Sequence, residues 1–114
     1  MENTFPFEVK FIGDAEQFYQ LSADFEEPKL LLYKLLLDKY RSPNGLISLV
    51  DNAALVIEET VPDLLDHMDF NEESYLLDMH VDSAESLQTF VAKVYPIFQS
   101  LTLLEAYVKR IANG

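Results

Sequence analysis

Phe5, Phe7, Val9 and Phe11 alternate with Pro6, Glu8 and Lys10, the period of a strand with one buried face. Gly13-Asp14 supplies turn chemistry, and then Tyr19, Leu21, Ala23 and Phe25 alternate with Gln20, Ser22 and Asp24. The two runs predict an N-terminal β-hairpin with one wet face. Pro28 suits the first position of a helix, with Glu26 and Glu27 at its positive end. The run from Lys29 to Tyr40 is rich in leucine and apolar on more than one face. It predicts a helix largely buried, packed on the sheet and on a neighbour. Ser42-Pro43-Asn44-Gly45 breaks it. Leu46, Leu49, Val50, Ala53 and Ile57 keep the i, i+3, i+4 spacing of a second helix, which Pro62 ends or kinks; Asp63-Leu64-Leu65 extends it by one turn.

Alternation then returns. His67 to Phe70 and Tyr75 to Val81 predict a second hairpin around Asn71-Glu72-Glu73. Tyr75, Leu77, Met79 and Val81 face one way, with Asp78 and His80 facing the other. Asp82, with Glu85 three residues on, has the form of a capping box. Behind it Leu87, Phe90, Val91, Val94 and Phe98 form an apolar stripe expected to lie against the sheet, and Pro96 should kink or end that helix. Thr102 with Glu105 repeats the capping signature for a short last helix closing near Asn113-Gly114. The order is ββ-αα-ββ-αα. Adjacent strand pairs without single crossover helices predict an α+β fold, an antiparallel sheet of two hairpins with helices on one face. At 114 residues the chain is sized for a single domain, residues 1–114, with one core.

Charge changes this picture of an ordinary small domain. Twenty acids against 8 bases give a formal charge of −12, while 49% apolar and 12% aromatic residues exclude a disordered acidic tail. That balance excludes ordinary phosphate-backbone binding and disfavours an anionic membrane surface. It favours a positively charged protein partner. The acids are also unevenly placed. Between residues 42 and 92 stand Asp51, Glu58, Glu59, Asp63, Asp66, Asp69, Glu72, Glu73, Asp78, Asp82 and Glu85, with no Lys or Arg. One explanation is a solvated surface that keeps a small protein soluble. The other is a field built to meet a basic surface, since so long a stretch without a base repels itself. The expected contacts are Asp63, Asp66, Asp69, Glu72 and Glu73, with Glu58 and Glu59 as second choices.

Other chemistry is poorly supplied. With no cysteine there is no disulfide framework and no thiolate zinc site, which fits a reducing cytoplasm. No basic segment followed by an apolar stretch opens the chain, and the longest run without a charge, Val94 to Leu104, contains Pro96 and is too short for a bilayer. A cytoplasmic protein is expected. Asp69, Asn71 and Glu73 have the alternate spacing that opens a calcium loop, but the turn glycine and the distal glutamate are missing. His67 and His80 form no i, i+4 pair and read as polar residues at strand edges. There are three glycines, no phosphate loop, no dinucleotide fingerprint and no nucleophile elbow. No catalytic residue, cofactor or metal is assigned, and the chain is not expected to be an enzyme.

Met68-Asp69-Phe70-Asn71-Glu72-Glu73-Ser74, the strand Tyr75 to Val81, and the polar cap Asp82-Ser83-Ala84-Glu85-Ser86-Leu87 stand in sequence, downstream of Asn44-Gly45 before a helix. From Asn44 onward, over some 70 residues, this resembles the bacterial immunity protein 51 family, the antidotes of polymorphic toxin systems. The family shows a hydrophobic-x-Phe-Asp-Pro-Glu-Ala turn where Asn71-Glu72 replaces Asp-Pro here. It follows the glycine with an aromatic pair ending in tryptophan, where this chain has Leu46, Ile47 and Ser48. The resemblance implies an α+β fold and neutralisation of a cognate toxin by direct binding, with no catalytic residues. The leading expectation is therefore an immunity protein whose acidic surface occupies a basic toxin, a nuclease above all. The alternatives are an acidic nucleic-acid mimic such as a phage-encoded inhibitor of a defence nuclease, a non-catalytic adaptor or homodimer, and a small enzyme.

Overall fold

The computed structural model describes residues 5–13, 17–41, 43, 45 and 47–113. Strands β1 (Glu8–Gly13) and β2 (Gln17–Asp24) form the first hairpin, with Val9 opposite Leu21 and Phe11 opposite Tyr19. The Asp14 half of the expected turn lies outside the described residues. Strands β3 (Met68–Glu73) and β4 (Leu76–Val81) form the second. The hairpins join through β2 and β4, giving one antiparallel four-stranded sheet in the order β1-β2-β4-β3. The period of two decides the faces. Leu21, Ala23, Leu77, Met79 and Val81 are buried under the helices, while Gln20, Ser22, Asp78 and His80 stand on the open face. The α+β architecture follows the hydrophobic pattern.

The second hairpin turns later than its polar triplet indicates. Glu73 pairs with Leu76, so Asn71, Glu72 and Glu73 belong to β3 and the loop is Ser74-Tyr75, with Ser74 at φ 52°. The triplet is polar for reasons other than turning: Asn71 and Glu73 lie on the open face, and Glu72 reaches a helix. Tyr75 fastens this turn to the first helix. Its hydroxyl donates to Asp38 and accepts from Arg41 at 3.1 Å, and Lys34 lies 5.1 Å from the ring centre.

Pro28–Leu30 forms a 3-10 turn leading into α1 (Leu31–Lys39). Leu30, Tyr33, Leu36 and Leu37 are buried, and the Tyr33 hydroxyl donates to the Phe98 carbonyl at 2.6 Å. Burial pushes the Tyr33 phenol up to about 12. The expectation of a helix buried on several faces fails on one side. Leu31, Leu32 and Leu35 are 52%, 63% and 54% exposed, because α1 meets the core along one face and no element among the described residues covers the other.

Helix α2 (Leu49–Thr60) buries Leu49, Ala53, Val56 and Ile57 and is followed by a 3-10 helix at Pro62–His67. Helix α3 (Ala84–Lys93) is capped by Ser83, whose hydroxyl accepts the Ser86 N–H at 3.0 Å. Asp82 is not the cap; it is drawn instead to the Ser86 hydroxyl and to His67. Helix α3 ends at Lys93, and Pro96 stands in the first turn of the short α4 (Tyr95–Phe98). Helix α5 (Leu101–Asn113) ends where expected, near Asn113, and begins one residue before Thr102. Its first-turn acceptor is the Ser100 hydroxyl, at 3.3 Å from the Leu103 nitrogen, while Glu105 bonds Lys39 and Tyr40 rather than closing a box with Thr102. Phe7, arriving just before β1, sits among Phe90, Tyr95 and Phe98 at ring-centre distances of 5.0 to 5.8 Å. This aromatic cluster joins the sheet to α3 and α4. Among the described residues no helix is long and apolar enough to cross a membrane.

Candidate partner-binding site

Nine of the eleven acids of the base-free segment separate into three groups once folded. The first gathers where β3 begins and β4 ends. The 3-10 helix brings Asp63, Asp66 and His67 to this end of the sheet, β3 adds Asp69, the approach to α3 adds Asp82, and the first turn of α3 adds Glu85. Two adjoining clefts result. One, of about 550 Å³, is lined by Phe18, Asp66, His67, Met68, Asp69, His80, Val81 and Asp82. The other, of about 350 Å³, is lined by Asp63, Glu85 and their neighbours, and the two share His67 and Asp82 as a common wall. Neither cleft has a Lys or Arg in its lining. Phe18 and Met68 give the larger one an apolar floor, and Phe18 packs edge-on to His80 with ring centres 5.4 Å apart.

The shared wall is a hydrogen-bonded pair. His67 Nδ1 lies 2.7 Å from Asp82, and the other Asp82 oxygen accepts the Ser86 hydroxyl, also at 2.7 Å. The hydrogen bond to Asp82, then its charge and the fields of Asp66 and Glu85, raise the His67 pKa above its ordinary 6.5. The Ser86 hydroxyl first, and His67 next, hold Asp82 below the usual carboxylate range. A raised histidine pKa gives stability that is complete below about pH 6.5 and is lost as pH rises through the folded value. Melting is therefore expected to be higher at pH 6 than at pH 8 by an increment that His67→Gln abolishes. Both side chains are half exposed, so the increment is small. Equal pH dependence in the two proteins would show that the pair contributes nothing.

The second group is occupied within the chain. Glu72 accepts the Ser48 hydroxyl at 2.6 Å through one oxygen and the Leu49 N–H at 2.8 Å through the other, closing the N-terminus of α2. Glu59 is held by both outer nitrogens of Arg110, at 2.7 and 2.5 Å, which ties α2 to α5. The third group is apart from the clefts: Glu73 lies at the far end of β3, roughly 13 Å from Asp69 along the strand, and Glu58 is exposed on α2. Of the seven expected contacts, the fold thus brings together Asp63, Asp66 and Asp69.

Sequence reasoning did not single out Phe18, His80, Asp82 or Glu85 for the site, nor Asp24 and Asp78 on the open sheet face. Phe18 carries a signal in retrospect, as an aromatic residue out of phase with the inward positions of β2. Asp69, Asn71 and Glu73 run along an extended strand rather than wrapping a loop, and no group of three His, Asp or Glu among the described residues is placed to hold a metal ion. No family model, no curated protein and no solved structure matches the chain.

Proposed function

We propose that the protein is an immunity protein that binds a cognate bacterial toxin with a basic surface, of the nuclease class, and neutralises it in the cytoplasm without catalysis. The observation that carries this reading is the pair of acidic clefts at one end of the sheet, five acids and two histidines with no lining base. A nuclease cleft is positive because it holds phosphates, and an acidic wall with an apolar floor offers its Arg and Lys side chains both charge and contact area. The resemblance of residues 68–87 to the immunity family supports the same reading.

The test is surface plasmon resonance against the basic protein that the chain captures from its native host, with circular dichroism as folding control. Association should be fast at low salt and slow severalfold towards 0.3 M, because screening acts over about 8–10 Å at 0.1–0.15 M. Replacing Asp63, Asp66 and Asp69 together by asparagine should cut the on-rate about tenfold or more with the fold unchanged. Glu8→Gln with Asp14→Asn should do much less. An on-rate that ignores both salt and the triple substitution would reduce the acidic end to a solvated surface.

A further inference from the structure

Among the described residues two polar side chains are buried, Ser86 and Asn52. Ser86 is bonded to Asp82 and Ser83. Asn52, the fourth residue of α2 and only 4% exposed, carries an Oδ1 that no donor among the described residues reaches. A buried carbonyl oxygen without a partner destabilises a fold, and asparagine is already a poor helix former. A leucine at this position would avoid both penalties.

The same side chain lines a small cavity where α1, α2, α4, α5 and β4 meet. The cavity has about 10 Å³ of room for the centre of a water-sized sphere, the least that admits one water molecule. Tyr33 and Phe98 also line it, joined by the 2.6 Å hydrogen bond from the tyrosine hydroxyl to the Phe98 carbonyl. That hydroxyl has given its proton away, and its oxygen keeps lone pairs for a further donor. The rest of the lining is apolar, Leu37 and Leu77 included.

We propose that this cavity is a hydration site of the core, where one water molecule bridges the Asn52 amide on α2 to the Tyr33 hydroxyl on α1. A water held in a protein interior needs roughly two to four polar partners, and these are two. It gives one proton to each oxygen. A half-turn of the amide exchanges its acceptor and donor ends, and either end can bond the water. The bridge extends the Tyr33–Phe98 link, so that one polar chain joins α2, α1 and α4. Cavities that stay dry have wholly apolar walls, and this one does not. Its lining shares no residue with the acidic clefts, so the proposal is independent of the toxin-binding reading.

A high-resolution crystal structure of the full chain should show one ordered water at about 2.7–3.2 Å from an Asn52 amide atom. In solution, nuclear Overhauser spectra should show cross-peaks from water to the methyl groups of Leu37 and Leu77, with the sign given by a water that tumbles with the protein. Asn52→Leu fills the cavity and removes the amide, so these cross-peaks should be lost while the rest of the methyl spectrum stays in place. A structure with no water within bonding distance of the amide overturns the proposal, as does a parent spectrum without the cross-peaks. Cross-peaks that persist in folded Asn52→Leu also overturn it, because they then arise from exchange of the Tyr33 hydroxyl proton. If that variant does not fold, the two measurements on the parent chain decide.

Discussion

Phe90→Ala is expected to remove about 3–5 kcal/mol of folding stability, the range for emptying a buried aromatic site. Phe90 is fully buried, with ring centres 5.8 Å from Phe7 and 5.0 Å from Tyr95. The loss has two parts. The ring's transfer from water is forfeited, and a cavity is left between α3, α4 and the residue leading into β1. Phe7 and Tyr95 also lose an edge-to-face partner, each pair contributing about 0.5–1.5 kcal/mol beyond its buried area. A domain of this size has only about 5–15 kcal/mol to lose. Guanidinium unfolding followed by circular dichroism measures the change; a loss below about 1 kcal/mol would show that the aromatic cluster is not what holds the helices to the sheet.

Glu72→Ala and Glu73→Ala, adjacent in sequence, are expected to differ sharply. Glu72 spans Ser48 and Leu49 with one oxygen each, so its loss leaves a helix-terminal N–H and a hydroxyl without their acceptor. A cost of about 1–3 kcal/mol follows from the loss of a cap and of charge-assisted hydrogen bonds. Glu73 points to solvent, and its replacement should stay within about 0.5 kcal/mol. Parallel urea titrations decide the matter, and equal midpoints would show that Glu72 does not cap α2. The contrast bears on the binding experiment too. A toxin-binding defect in a Glu72 variant reports a damaged fold, so the acids to neutralise are Asp63, Asp66 and Asp69.

The three later strands were legible because alternation reports burial directly, and Leu21, Leu77, Met79 and Val81 sit where the pattern puts them, whereas at the sheet's edge Phe11, expected on the buried face with Phe7 and Val9, is 54% exposed. What failed depended on partners distant in sequence. Nothing local marks Glu72 as a cap, since its helix begins 23 residues earlier, and so its polar neighbourhood read as a turn. Asp82 and Ser83 are both good capping residues; the choice fell to Ser83 because Asp82 is claimed by His67, 15 residues away. In α1 the leucines are apolar on two faces, and periodicity cannot tell which face the rest of the chain will reach. The acidic site was half legible for the same reason. Composition exposed the excess of charge, while only folding separated Asp63, Asp66 and Asp69 from acids engaged elsewhere.

The strand order has a kinetic meaning. Each hairpin closes on neighbours in sequence, an event of about 1–10 µs in isolation. The central seam is different: Gln20 and Asp78, bonded across it, are 58 residues apart, with α1 and α2 folded in the intervening chain. Closing that loop costs entropy before β2 and β4 return any contact. Folding should therefore be limited by the meeting of two preformed hairpins, at the pace of mixed α/β domains rather than of helical bundles. Until they meet, the inner edges of β2 and β4 are unpaired and open to other chains, and the excess of like charge that marks this protein is then what keeps those chains apart.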